Sequence, residues 1–186
     1  AAGGPSGARA GTAAYKSVWK NVMGSAAGSA AQSEYAGIQY FLPGARRVLS
    51  RTGLDVQLRS STVQQMTFST SIQHGAGGAG TVFNNALKTL SYPPNTPTAT
   101  EPTDAALIRA VYAQRRADNG MKYFPSSNAG VRSSVVNRFH NEEADALVSL
   151  QQEIDAANAN PPTVDPSDNS AATSTVRPTS SPNNVQ

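Results

Sequence analysis

Residues 91–103 read SYPPNTPTATEPT, with four prolines in thirteen positions. Proline lacks the amide hydrogen that a central strand needs, and its ring breaks a helix, so this stretch is an extended connection. Directly after it stands the clearest helix start in the chain. Thr103 is an N-cap residue and Asp104 places an acid at the positive end of the helix dipole. Leu107, Ile108, Val111 and Tyr112 follow at helical spacing, and Gly120 closes the segment.

The connection also decides the meaning of the motif before it. Gly75-Ala76-Gly77-Gly78-Ala79-Gly80 spells G-x-G-x-x-G, the loop that seats a pyrophosphate on a helix N-terminus. That fold needs a second parallel strand at the helix exit, ending in an acid about 20 residues beyond the loop. The proline-rich stretch cannot supply the strand. Glu101 precedes a proline and Asp104 opens a helix, so neither fits as the acid. The phosphate-loop variant needs Gly-Lys-Ser/Thr, and no lysine is present. The expectation is a mobile Gly/Ala turn that binds no cofactor.

Elsewhere the periodicity is mostly helical. Tyr15, Val18, Trp19, Val22 and Met23 fall on one face, with Lys16 and Lys20 off it and Gly24 placed to end the helix. Tyr35, Ile38 and Leu42 suggest a second helix, stopped by Pro43-Gly44. Between residues 54 and 73 the period shifts to two: Val56 and Leu58, then Met66, Phe68 and Ile72, alternate with polar residues. That pattern predicts two short strands or one bent strand. Val82, Phe83, Ala86, Leu87 and Leu90 return to helical spacing. Val131, Val135 and Phe139 continue it, and Asn141 reads as the N-cap of a last helix with Leu147, Leu150 and Ile154. The predicted fold is mainly α with a small antiparallel β element (α+β), a single domain over 13–159. Residues 1–12 and 160–186 are rich in small and polar residues and read as extended arms. Such segments cannot bury enough apolar surface to offset their ordering entropy, so a partner is expected to order them.

Charge is split along the chain. Residues 1–141 hold fourteen Lys and Arg against five carboxylates, net +9, and residues 142–186 hold one Arg against seven carboxylates, net −6. A basic body with an acidic end suits a polyanion or head-to-tail contact between copies. Arg46, Arg47, Arg51, Arg115 and Arg116 are candidate phosphate contacts through their guanidinium forks. Glu142 and Glu143 are candidate inter-subunit carboxylates that a neighbour's Arg46 and Arg47 would meet. Arg115 and Arg116 also suit a helix C-terminus with no ligand at all.

No catalytic group is indicated. His74 and His140 are the only histidines, HNEE at 140–143 lacks the second histidine of a zinc-protease motif, and no G-x-S-x-G elbow is present. The chain has no cysteine, which excludes disulfides and thiolate metal sites. No apolar run approaches the roughly 20 residues of a membrane span, so a soluble protein is expected. No metal, cofactor or small-molecule substrate is implied. The reading that emerges is a non-enzymatic structural subunit of a large assembly, with a virion coat, minor capsid or tail component as the expected setting. Packing would run through Tyr15, Trp19, Phe68, Leu107, Tyr112 and Phe139, and the arms would clasp copies of itself or other subunits. Two alternatives stand beside it: a coat protein packaging genomic nucleic acid, RNA included, and a linker or assembly factor of a cellular complex.

Overall fold

A computed structural model describes residues 12–160. The arms expected at 1–12 and 160–186 therefore lie, Thr12 and Asn160 apart, outside the described residues. The order is α1 (Ala13–Met23), α2 (Ala26–Ala36), a π-helical turn (Gly37–Phe41), α3 (Leu42–Thr52), a 3₁₀ turn (Val56–Leu58), α4 (Ser61–Thr89), α5 (Asp104–Arg115), a second 3₁₀ turn (Ala117–Gly120) and α6 (Ala129–Ala159). Side chains cap the starts: Thr12 accepts from the Tyr15 amide, Ser25 from Gly28, Ser60 from Val63, Thr103 from Ala106 and Asn128 from Val131. The sequence expectation that Pro43-Gly44 stops a helix fails: helical backbone continues from α2 through the π-helical turn into α3, with Pro43 in the first turn of α3.

The described residues contain no strand, which corrects the α+β expectation to an all-helical one. The segment read as strands, 54–73, is the first 3₁₀ turn followed by the first half of α4. Its buried face is Thr62, Val63, Met66, Thr67, Thr70 and Ser71, at helical spacing but mostly hydroxylic. Thr62 donates to Glu153, and the other three hydroxyls are satisfied by their own helix: Thr67 donates to the Val63 carbonyl at 2.8 Å, Thr70 to Met66 at 2.7 Å and Ser71 to Thr67 at 2.8 Å. Ile72, which helped make the false alternation, is exposed. The small face lets α3 come close. A Cβ on Gly44 would lie 1.9 Å from the Ser71 hydroxyl oxygen.

The glycine-rich segment is also helical rather than a loose turn. Only Gly75 departs, at φ 68° and ψ 170°, and α4 kinks there and resumes. Asn141 does not open a helix; it lies inside α6, which starts at Asn128.

The core lies between α3, α4, α5 and α6, with Val48, Leu54, Phe83, Leu107, Ile108, Val111 and Phe139 fully buried. The connection 91–103 is pinned down, not loose. Arg59 donates to the carbonyls of Ala99 at 3.0 Å and Pro102 at 2.6 Å and pairs with Asp104 at 3.0 Å. The Asn95 amide reaches the Thr52 carbonyl at 2.8 Å, packed against Gly53, whose φ of 78° ends α3.

Candidate interaction surface

The predicted site residues separate into an interior group and an exterior group. Arg115 is the largest fully buried side chain among the described residues. It projects from the last turn of α5 toward α4 and α6. Its Nη1 stands 3.2 Å from Glu142 Oε2, its Nη2 donates to Ser69 Oγ at 3.3 Å, and its guanidinium carbon lies 4.0 Å from the Phe139 ring centre. Burial lowers its basicity, and Glu142 acts in the opposite direction. Glu142 also pairs with Arg138 at 3.1 Å. Arg116 pairs with Glu143 and donates to the Phe139 carbonyl. Arg115 and Arg116, expected as phosphate contacts, and Glu142 and Glu143, expected to face a neighbour, are thus bound to one another across α5 and α6.

His74 borders this cluster, tilted against Tyr123 and Phe124 at ring distances of 5.2 and 5.5 Å. Burial first, then the Arg115 and Arg138 charges, depress its pKa to about 4, so it is neutral at pH 7. At the other end of α6, Glu153 accepts from the amides of Ser61 at 3.0 Å and Thr62 at 2.9 Å, capping α4 from outside. Burial opposes ionisation of Glu153, yet hydrogen bonds from the Thr62 and Ser61 side chains, and then from their amides, outweigh it and hold the carboxyl below its ordinary range.

Two exterior surfaces remain. On α1, Val18, Trp19 and Val22 are 58%, 54% and 53% exposed, and Tyr15 stacks on Trp19 at 6.1 Å. The helix buries no residue and, apart from the turn to α2, leans on nothing in the described fold. The stripe read as core is therefore solvent-facing; amphipathic periodicity reports a face that needs covering, and not by what. On α3, Arg46, Arg47 and Arg51 are exposed, and among the described residues no carboxylate pairs with them. Arg46, Arg47, Pro43 and Ser50 line one wall of an open cleft of about 570 Å³, with Ala76 and Gly77 opposite.

Among the described residues no three His, Asp or Glu side chains gather as a metal would need, and no helix is long and apolar enough to cross a membrane. One known family matches by its model: Type VI secretion system spike protein VgrG3-like, C-terminal, over residues 5–143. No curated protein and no solved structure matches the chain. The setting this family's description names is a secretion-system spike, which replaces the virion coat, capsid and RNA-packaging setting expected from composition.

Proposed function

Because the chain belongs to the VgrG3-like C-terminal family of type VI secretion spike proteins, we propose that it is a non-enzymatic structural component of a spike assembly. It joins a neighbouring subunit through the apolar face of α1. The family match supports the setting, and the uncovered Tyr15–Val18–Trp19–Val22 stripe carries the mode of attachment. An isolated helix of eleven residues is marginal in water, and an aromatic anchor surrounded by aliphatic side chains is the usual centre of a protein interface. Lys16 and Lys20, off the stripe, supply the charged rim.

The test is incorporation. Trp19→Asp combined with Val22→Asp leaves the circular dichroism and thermal midpoint of the body unchanged, since α1 buries nothing, and removes the chain from sedimented spike particles. Undiminished incorporation of this variant overturns the assignment.

A further inference from the structure

Among the described arginines, Arg59, Arg115, Arg116 and Arg138 pair with carboxylates of the same chain, and Arg109 and Arg132 donate to the carbonyls of Ala105 and Ser127, whereas the side chains of the three α3 arginines bond to nothing in the described fold. The carboxylates that sequence reasoning offered to Arg46 and Arg47, those of Glu142 and Glu143, are spent inside the fold. Pro43, Arg46, Arg47 and Ser50 recur at i, i+3, i+4 and i+7, which is one helical face, and Arg51 extends it toward the helix C-terminus. The dipole there favours a cation at Arg51 but gives no reason for Arg46 and Arg47 in the first half of the helix.

The neighbourhood of the arginines narrows the kind of ligand. The Arg47 stem is held against α4, where a Cβ on Gly80 would lie 2.9 Å from Arg47 Cγ, so its guanidinium is presented from a supported base. Across the cleft, a Cβ on Gly77 would meet nothing within 4 Å, which leaves the wall open. Besides the arginines the lining is Pro43, Ser50, Ala76 and Gly77, with no aromatic or large aliphatic anchor of the kind that centres a protein interface. Free guanidinium forks over a shallow, small-residue floor suit phosphate oxygens, which are multiply charged, exposed and bound without desolvating an apolar core.

We infer that the exposed face of α3, through Arg46, Arg47 and Arg51, binds the phosphodiester backbone of a nucleic acid without sequence preference. The surface is separate from the α1 stripe and does not depend on the spike assignment. With no base-reading aromatic in the cleft, contact is to phosphates alone.

The experiment is fluorescence anisotropy of the intact chain with a labelled oligothymidylate at several salt concentrations between about 50 and 200 mM. Three phosphate contacts on a single strand give a log–log salt slope of about −2. The variant Arg46→Glu, Arg47→Glu, Arg51→Glu loses at least about tenfold in affinity and most of that slope. Arg109→Glu, reversing an exposed arginine on α5, stays near the parent value. The three α3 side chains are exposed, so folding is preserved and is checked by circular dichroism. Equal binding by parent and triple variant overturns the inference. So does binding of a polyglutamate peptide or of phosphatidylglycerol vesicles without binding of the oligonucleotide, and so does absence of any binding at the lowest salt.

Discussion

Arg115 carries a charge to a position with no solvent exposure, and its stability contribution is a matter of pairing rather than of attraction alone. Removing one member of a buried pair strands the other, at a cost of about 3–5 kcal/mol. Arg115→Ala is therefore expected to lower stability by that order in chemical denaturation. Glu142→Gln costs less, because Arg115 keeps Ser69 and the Phe139 and Tyr112 rings. The double variant is less damaged than the sum, and strict additivity in the cycle would falsify the coupling. His74 sets a pH window. Its folded pKa of about 4 lies below the ordinary histidine value of 6.5, so between these limits the unfolded chain binds the extra proton. Its contribution is complete above pH 6.5 and is lost as pH falls toward 4, amounting to about 1–2 kcal/mol after allowance for its partial exposure. His74→Gln flattens that part of the stability profile, measured by urea unfolding at successive pH values. At this scale the sequence was informative about type and silent about place. Arg115 and Glu142 were both singled out, but their pairing needs α5 and α6 to pack side by side.

The helix start at Thr103 was legible because capping is a local interaction, but the same local signal at Asn141 falls inside α6, whose cap is Asn128. α4 was not legible over its first half. Thr67, Thr70 and Ser71 occupy core positions while Phe68 and Ile72 lie off them, so hydrophobicity traced the wrong face. Back-bonding hydroxyls make that exchange possible, and the close approach of α3 at Gly44 makes it useful. The glycine segment misled for a related reason. Among Gly75, Gly77, Gly78 and Gly80 only Gly75 needs its conformational freedom, and Gly78 and Gly80 serve close packing against His74 and Arg47. Gly75 sits at a φ and ψ that is almost closed to other residues. Gly75→Ala is expected to cost about 1–3 kcal/mol, although a methyl group there meets nothing within 4 Å. Gly77→Ala, with equal space and helical geometry, is neutral or stabilising in the same thermal melt, and a matching loss at both positions counts against the backbone explanation.

For the whole molecule, the charge split read from the sequence is largely resolved indoors. Glu142, Glu143 and Glu153 belong to the acidic C-terminal segment, and all three turn toward α4 and α5. The α3 arginines and the α1 stripe stay on the outer surface, both in the N-terminal half. Linear sequence cannot show this redistribution, because each cancelling pair joins elements that only the bundle brings together. The arms, on which the assembly argument first rested, lie outside the described residues, so attachment is argued from α1 alone.

The short stretch Arg59–Thr62 has a consequence for time as well as for strength. Arg59 reaches residues 40 and 43 positions away, Ser60 reaches Asp104, and Ser61 and Thr62 reach Glu153 more than 90 positions away. Closing loops of that length is slow relative to forming α3 against its neighbour α4, so these contacts are expected to form after the folding transition state. Glu153→Gln then accelerates unfolding and leaves the refolding rate nearly unchanged, as read from the two arms of a stopped-flow chevron. The clasp acts as a latch on escape from the native state, so that stretch governs how long the fold lasts more than how quickly it is reached.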